Sequence, residues 1–263
     1  MRNILVLGGT TEASALARAL AEQGERATLS YAGRVAQPGA QPIAVRVGGF
    51  GGVIGLVHHL QASHVTHVVD ATHPFAARMS SHAIAACQQL KIPMLALTRD
   101  AWQPGPGDRW QSVADLPSAA AALSGPPQRV MLAVGRMHLA TFAAQPQHHY
   151  ILRLVDEPDV RPPLPHHTTI VARGPFDMAG DIGLLREHRV DIVVSKNAGG
   201  SGAQAKLQAA RTLGLPVLMV ARPQLPARQE VTGVADVLAW LAMADSGVTV
   251  AHSVTSRDAE RGV

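Results

Sequence analysis

The feature that most constrains the fold is an alternation of two kinds of segment along most of the chain. Short apolar runs of strand length, such as Asn3–Leu7 and Thr66–Asp70, alternate with Ala-rich segments of helical period, such as Glu12–Gln23 and Ala76–Leu90. A strand, a helix and a further strand in this order form a βαβ unit, in which the two strands lie parallel in one sheet. The sequence therefore predicts an α/β fold built on parallel sheets.

The composition fits such a fold. Hydrophobic residues make up 47% of the chain but aromatic residues only 3%, so the core must consist mainly of Ala, Val, Leu and Ile. These residues fill buried parallel strands and the helices that cover them. With 263 residues, the chain is long enough for one large domain or two small ones.

A stretch with repeated proline and glycine interrupts the alternation between Asp100 and Gln128. Such a composition is typical of a connection between domains. We therefore predict two Rossmann-like, doubly wound parallel-sheet domains with a cleft between them, at residues 1–125 and 126–244. Residues 245–263 show neither kind of periodicity, and we expect this tail to be disordered.

The second half repeats the alternation of the first. Its predicted strands are Arg129–Val134, Tyr150–Leu154, Thr169–Ala172, Asp191–Ser195 and Pro216–Ala221. Its predicted helices are Met137–Ala144, Met178–Glu187, Ala203–Leu213 and Val234–Met243. Ligands of doubly wound sheets bind beyond the carboxyl ends of the strands, so the residues that follow each strand are the candidates for a site.

A loop with two glycines follows the first strand and opens the first helix. It consists of Gly8, Gly9, Thr10, Thr11, Glu12 and Ala13. Glycines let the backbone approach a pyrophosphate, and a helix N-terminus offers N–H groups and a partial positive charge. We therefore predict that all six residues bind a dinucleotide, although the full Gly-x-Gly-x-x-Gly pattern is absent. The alternative is an ordinary turn in which Thr10 or Thr11 caps the helix.

The end of the second strand favours one nicotinamide cofactor over the other. An acid at this position binds the ribose 2′-hydroxyl of NADH, whereas a 2′-phosphate needs arginine or hydroxyl donors. The segment Thr28–Arg34 contains no acid, and its predicted cofactor contacts are Ser30, Gly33 and Arg34. The sequence thus favours NADPH, and the alternative is that Arg34 is a surface residue.

Polar residues also follow the fourth strand. Asp70, Thr72 and His73 can form hydrogen bonds at the carboxyl end of that strand, and Pro74 suits the start of a helix. We predict that these four residues face the cofactor. A single histidine in a loop is more often a positioning group than a general acid, and we assign His73 to cofactor binding.

In the second half, a lysine, Lys196, directly follows the predicted strand Asp191–Ser195. Among 23 Lys and Arg residues only three are Lys, and an ammonium group can donate a proton where a guanidinium cannot. We therefore predict that Lys196 is catalytic as a proton donor, or that it holds substrate carboxylates; a solvated loop lysine is the alternative. The predicted substrate-binding residues are Arg136, Ser195, Lys196, Asn197, Gly199 and Gly200.

Several classes of function are not supported. A single Cys87 allows no internal disulfide, and the adjacent histidine pairs lack the spacing and carboxylates of a metal site. The net charge of +4 is spread along the chain and few aromatics could stack bases, so we expect no nucleic-acid partner. No run approaches about 18 apolar residues. We expect a cytoplasmic protein without a membrane span, as a monomer or small homo-oligomer.

Taken together, these segments resemble the precorrin-6A reductases, the NADPH-dependent reductases of cobalamin biosynthesis. The resemblance runs from Ile4 to about Leu241 and is carried by Gly8–Ala13, Ser30–Arg34, Asp70–Ala76, Gly135-Arg136 and Ser195–Gly200 continuing to Lys206. It implies hydride transfer from NADPH to C19 of the precorrin-6A macrocycle and delivery of a proton to C18, giving precorrin-6B. It also implies that this tetrapyrrole lies across the cleft against the second domain.

Two other functions remain open at this point. One is an NADPH-dependent reductase of another small acidic substrate, such as a ketone. That chemistry usually has a Tyr three or four residues before a Lys, and neither Tyr31 nor Tyr150 is so placed. The other is a non-catalytic NADP(H)-binding sensor, in which Lys196 would be structural.

Overall fold

The computed structural model describes residues 2–33, 39–158 and 160–245. The elements up to residue 97 are β1 (Ile4–Leu7), α1 (Thr11–Glu22), β2 (Ala27–Tyr31), β3 (Ala44–Val47), α2 (Gly52–Ala62), β4 (His67–Asp70), α3 (Ala77–Leu90) and β5 (Met94–Leu97). The elements that follow are β6 (Arg109–Val113), α4 (Leu116–Ala121), β7 (Arg129–Ala133), a 3₁₀ helix (Arg136–Ala144), β8 (His149–Leu154), β9 (His167–Val171), α5 (Met178–Glu187), β10 (Ile192–Lys196), α6 (Ala205–Thr212), β11 (Pro216–Val220), β12 (Glu230–Val231) and α7 (Val234–Asp245).

The strands form two parallel sheets of the same design. The described part of the chain gives a six-stranded sheet of order β12-β5-β4-β1-β2-β3 and another of order β6-β11-β10-β7-β8-β9. In each sheet the order reverses beside one central strand, β1 or β7, which is the doubly wound arrangement. The predicted fold class, two Rossmann-like parallel-sheet domains, is confirmed.

The strand register brings three of the candidate loops together. Leu7, the last residue of β1, lies opposite Ser30 on β2 and opposite Asp70 on β4. The loops that leave these three strands therefore start side by side at one edge of the sheet. In the second sheet, Ser195 on β10 lies opposite Ala133 on β7, so the loops before Arg136 and after Lys196 are also neighbours.

The chain exchanges an edge strand between the two sheets. β6 precedes β7 in sequence but pairs with β11 of the second sheet, and β12 follows β11 but pairs with β5 of the first sheet. Helix α7 packs in the core of the first domain through Val237 and Leu241. The expected boundary at residue 125 therefore does not follow the sheets, because residues 109–121 belong with the second sheet and residues 230–245 with the first.

The segment after β7 differs from the predicted element. The sequence predicts an α-helix over Met137–Ala144, whereas Arg136–Ala144 forms a 3₁₀ helix. Its buried side chains are Leu139 and Phe142, which are three residues apart. This spacing matches the three residues per turn of a 3₁₀ helix and gives no wider apolar stripe for an α-helix to bury.

Both faces of each sheet are covered. Along β1, Ile4 and Val6 pack in a core that includes residues of α1 and α7, while Leu5 and Leu7 pack in a second core with α2 and α3. Two further cores cover the second sheet, with Leu132 in one and Met131 in the other. Such strands are apolar at nearly every position, as the sequence pattern indicates. No described helix is both long and apolar enough to cross a bilayer.

Candidate active site

The loop after β1 combines a tight turn with open space. A Cβ atom on Gly8 would lie 2.5 Å from Leu29 Cδ1, so a side chain at this position would displace the core of the domain. Gly9 has a φ of +119°, and a Cβ atom there would meet no protein atom within 4 Å. Glycine at position 9 therefore fits the backbone conformation and leaves room for a ligand above the loop.

Thr10 caps the helix that the loop opens. Its Oγ1 accepts a hydrogen bond from Ala13 N at 3.1 Å and donates one to Ala71 O at 2.8 Å, which ties the loop to the end of β4. Thr11 is exposed, and among the described residues its hydroxyl donates only to the neighbouring Glu12 carboxylate, at 3.1 Å. The other amides of the first turn of α1 have no intrahelical acceptor, as at every helix start, and such a turn suits a phosphate.

Glu12, also in this first turn, lies beside a cation that the sequence analysis did not single out. Arg99 Nη2 lies 3.4 Å from the Glu12 carboxylate. Arg99 follows β5. The rule that residues after a parallel strand are site candidates, which identified the loops after β1 and β4, also identifies Arg99 when it is applied to β5. The guanidinium offsets the repulsion that a carboxylate at this position would exert on a pyrophosphate.

At the end of β2, Ser30 is buried and its Oγ accepts a hydrogen bond from Arg46 Nη1 at 3.2 Å. Gly33 has a φ of +73°, and a Cβ atom there would lie 3.9 Å from the backbone of Gly48, which follows β3. The predicted contact Arg34 lies outside the described residues. Arg46 is a second residue that the sequence analysis missed, because it lies within a strand and not after one.

Asp70 is buried, and protein partners contact both of its carboxylate oxygens. One carboxylate oxygen accepts hydrogen bonds from Thr72 N at 3.1 Å and Thr72 Oγ1 at 2.7 Å. The other oxygen pairs with Arg228 Nη1 at 2.5 Å. Asp70 and Thr72 thus shape the loop after β4 and attach it to the segment before β12. Pro74 lines a cavity of about 260 Å³ with residues of that segment, including Arg222 and Arg228.

His73 lies among cations from both domains. Its Nδ1 accepts a hydrogen bond from Phe75 N at 3.2 Å. Burial, together with the positive charges of Lys196, Arg99, Arg222 and Lys206, lowers the pKa of His73 to about 4. The imidazole is therefore neutral at pH 7 and lacks the acidic proton of an imidazolium.

Lys196 lies where the two domains meet. It is the last residue of β10, and its Nζ lies 5.2 Å from the centroid of the Phe75 ring, which packs against a core of the second domain. The structure thus brings the loop after β4 and Lys196 together. Lys196 also lines a cavity of about 230 Å³ with Gly135, Arg136 and Arg153.

The polar side chains around Lys196 mainly hold the loop in place. Ser195 is fully buried and its Oγ donates to Lys196 O at 3.2 Å. Asn197 is held by Trp102, whose N donates to Asn197 Oδ1 at 2.8 Å and whose O accepts from Asn197 Nδ2 at 2.9 Å. Arg222, which follows β11, donates to Asn197 O at 3.0 Å.

Gly199 and Gly200 are required by packing as well as by their backbone. Their φ angles are +72° and +73°. A Cβ atom on Gly199 would lie 2.1 Å from Asp100 O, and one on Gly200 would lie 2.7 Å from Arg99 Cδ. Both glycines therefore seat this second-domain loop closely against the segment that follows β5.

Arg153, which lines the same cavity as Lys196, lies close to two further buried charged side chains, Asp181 and Lys206. Arg153 forms an ion pair with Asp181, and its guanidinium lies 3.8 Å from the centroid of the Phe176 ring. Lys206 is buried, donates to Ala203 O at 2.5 Å, and has a pKa that burial lowers to about 7. Arg153 was missed because a single arginine within a strand gives no signal of its own.

Comparison with known proteins decides the family. A family model described as "Precorrin-6x reductase CbiJ/CobK" matches residues 3–242. The chain belongs to this family. The precorrin-6A reductase of Rhodobacter capsulatus is 55% identical over 249 residues, which cover 95% of this chain and 98% of that protein. The precorrin-6A reductase of Rhodococcus erythropolis is 47% identical over 243 residues, covering 92% of this chain and 98% of that protein.

A solved structure and a more distant relative complete the comparison. The structure of "CobK precorrin-6A reductase" matches with a TM-score of 0.89 and 55% identity, over 95% of this chain and 98% of that chain. The cobalt-precorrin-6A reductase of Priestia megaterium is 29% identical over 238 residues, covering 84% of this chain and 91% of that protein. The resemblance carried by the strand exits is thus confirmed.

Proposed function

We propose that this chain reduces precorrin-6A with NADPH, adding a hydride at C19 and a proton at C18 to give precorrin-6B. Family membership supports the reaction class. The relatives named precorrin-6A reductases in the comparison above are 47 to 55% identical to this chain, whereas the cobalt-precorrin-6A reductase is 29% identical. We therefore infer that the metal-free macrocycle is the substrate.

The first domain is the proposed cofactor site. The residues present fit a nicotinamide dinucleotide, because Gly9 leaves open space above a helix start that Thr10 caps. NADPH supplies the hydride when it is bound, while the protein orients the reacting partners. On this proposal Gly8–Ala13 hold the pyrophosphate, and His73 and Pro74 after β4 border the cofactor on the side of the second domain.

The second domain is the proposed substrate site. Precorrin-6A carries many carboxylates, and guanidinium groups bind carboxylates through paired hydrogen bonds. Arg136 and Arg153 line the same cavity as Lys196, together with one carboxylate, Asp156, so three of the four charged side chains in its lining are cationic. We assign the proton at C18 to Lys196, because Lys196 lines this cavity. Lys206 is buried and donates to Ala203 O, and His73 is neutral at pH 7.

One observation carries the proposal most directly. The loop after β4, which belongs to the cofactor domain, contacts the substrate domain at Lys196, with 5.2 Å between Lys196 Nζ and the Phe75 ring centroid. A hydride donor in the first domain and a proton donor in the second would therefore act on one substrate placed at this junction.

The test is anaerobic oxidation of NADPH in the presence of precorrin-6A, with cobalt-precorrin-6A and no substrate as the matched conditions. We expect NADPH consumption and formation of precorrin-6B with the metal-free substrate, and slower turnover with the cobalt form. Binding of NADPH without turnover of either macrocycle would contradict the proposal and favour a sensor. Faster turnover of the cobalt form would contradict the substrate assignment alone.

A further inference from the structure

Arg46 lies at the end of the first domain where we expect the ribose of the cofactor. It is the third residue of β3, and the strand register places it opposite Ser30 on β2. Its Nη1 donates to Ser30 Oγ at 3.2 Å, and Ser30 O in turn accepts from Gly8 N at 2.9 Å. The guanidinium is thus connected to the glycine loop through one residue.

The protein fixes the orientation of this guanidinium. Arg46 Nη1 donates to Gly48 O at 2.5 Å and Nη2 donates to Gly49 O at 2.8 Å. Its Cζ lies 3.9 Å from the centroid of the Phe50 ring, so the planar group stacks on an aromatic face. Such a guanidinium loses little freedom when it binds an anion, because it is already held.

The arrangement leaves capacity for a ligand. An arginine side chain has five N–H donors, two on Nη1, two on Nη2 and one on Nε. The bonds to Ser30, Gly48 and Gly49 involve Nη1 and Nη2 only. Nε–H therefore makes no hydrogen bond to a described residue. Ser30 itself is 5% exposed, so it positions Arg46 and offers little surface of its own.

The position also fits the chemistry of the cofactor. In a doubly wound domain the ribose 2′ group lies at the end of the second strand, where an acid selects NADH and a cation selects the 2′-phosphate of NADPH. The end of β2 carries no acid, and its neighbour β3 supplies Arg46 instead.

We propose that Arg46 binds the 2′-phosphate of NADPH and sets the preference for NADPH over NADH, with Ser30 and Phe50 as its positioning residues. This inference rests on the proposed function, since it names a contact for the cofactor of that reaction. It is separate from the prediction for Arg34, which concerns a residue outside the described ranges.

The experiment compares two nucleotides that differ only in the 2′-phosphate. Adenosine 2′,5′-bisphosphate and 5′-AMP are titrated into the wild-type protein and into Arg46→Gln by isothermal calorimetry. We expect Arg46→Gln to weaken the bisphosphate roughly 10- to 100-fold, as for loss of a charge-assisted hydrogen bond, and 5′-AMP less than about twofold. Arg18→Gln, which removes an exposed arginine from α1, is the matched control and should change neither affinity.

Two results would overturn the assignment. Equal weakening of both nucleotides would mean that Arg46 is only structural, and unchanged binding of the bisphosphate would mean that it does not contact the phosphate. If circular dichroism shows that Arg46→Gln does not fold, Ser30→Ala replaces it. We expect Ser30→Ala to weaken the bisphosphate alone, by about 3- to 10-fold, and equal affinities to the wild type would overturn the proposal.

Because no macrocycle is present in these titrations, their outcome is independent of turnover. Failure of the proposed reaction appears as absent NADPH oxidation with precorrin-6A. Failure of the Arg46 assignment appears as an unselective effect of Arg46→Gln on two nucleotides. A wild-type protein that binds both nucleotides equally would contradict the choice of NADPH as well as the role of Arg46.

Discussion

The two sheets have equivalent strand orders, yet the loops that leave their central strands, β1 and β7, differ. β1 leads through Gly8 and Gly9 into an α-helix whose start is capped by Thr10. β7 leads through Gly135 into a 3₁₀ helix that begins with Arg136 and has no side-chain cap. An α-helix start offers aligned backbone amides to a phosphate, whereas the second loop offers a guanidinium. On the proposed function, one topology would thus support two kinds of anion site.

The glycines of the two domains differ in the same way. Gly9 has a positive φ and no atom within 4 Å of a Cβ position, so it leaves space for a ligand. Gly199 and Gly200 have positive φ as well, but their Cβ positions are filled by Asp100 and Arg99. The loop after β1 is open for a ligand, whereas the loop after β10 is closed by the protein and fixes the position of Lys196.

The largest expected effect comes from removing the side chain of Lys196. Lys196→Ala should lower kcat about 10²- to 10⁴-fold, as for loss of a proton donor, while the dissociation constant for NADPH stays near the wild-type value. Steady-state kinetics measures kcat, and an NADPH titration measures the dissociation constant. Lys91→Asn, which removes an exposed lysine at a left-handed position, is the control. Unchanged turnover would remove Lys196 from the chemistry.

The next largest effect is a loss of stability, which we expect for a glycine packed against other residues but not for an exposed glycine. Gly199→Ala places a Cβ atom 2.1 Å from Asp100 O at a φ of +72°, and we expect it to lower the free energy of unfolding by about 3 kcal/mol or more. Gly202→Ala meets no atom within 4 Å and should stay within about 0.5 kcal/mol. Urea denaturation measures both, and equal stabilities of the two variants would refute the packing argument.

The shifted pKa of His73 makes the stability of the protein pH-dependent. Burial and the cations around it lower this pKa from 6.5 to about 4, so between these values the unfolded chain binds a proton that the folded chain does not. The free energy of unfolding should therefore fall as the pH drops below about 6.5, with a loss of about 2 kcal/mol at pH 5.

His73→Asn keeps an acceptor for Phe75 N and should remove most of that loss. Urea denaturation at pH 7 and pH 5 checks the difference, with His58→Asn as the control because His58 is exposed on α2. A His73→Asn protein that loses as much stability as the wild type would show that other groups cause the pH dependence.

The smallest effect distinguishes the two threonines of the first loop. Thr10 caps α1 and bonds to Ala71 O, whereas Thr11 reaches only Glu12. Thr10→Ala should lower the free energy of unfolding by about 1 kcal/mol, and Thr11→Ala should change it by less than about 0.5 kcal/mol. Thermal unfolding of the two variants, measured side by side, suffices. A larger effect of Thr11→Ala would mean that the wrong residue is identified as the cap.

Much of the fold could be predicted because it depends on local patterns. Strand runs such as Asn3–Leu7 are apolar on both faces, and the helices between them have a clear period, so their order and the exits at Gly8, Asp70 and Lys196 follow from the sequence. The exchange of β6 and β12 could not be predicted in this way. β12 consists of only Glu230 and Val231, and its sheet is decided by pairing with a strand more than a hundred residues away.

The candidate site was predictable to the same extent. Residues that directly follow strands could be named, and Arg99 and Arg222 would have followed from the same rule applied to β5 and β11. Arg46 and Arg153 lie within strands, where alternation gives each side chain a face but not a partner. Their roles depend on stacking against Phe50 and Phe176, which only the fold brings near them.

The most direct test of the division between the two domains is amide hydrogen exchange of the wild-type protein with and without NADPH. We expect NADPH alone to slow exchange in Gly8–Ala13 and to leave Gly135–Ala144 unchanged, because the open helix start of the first domain receives the phosphates. Slower exchange in Gly135–Ala144 with no change in Gly8–Ala13 would place the cofactor in the second domain and refute the proposed division.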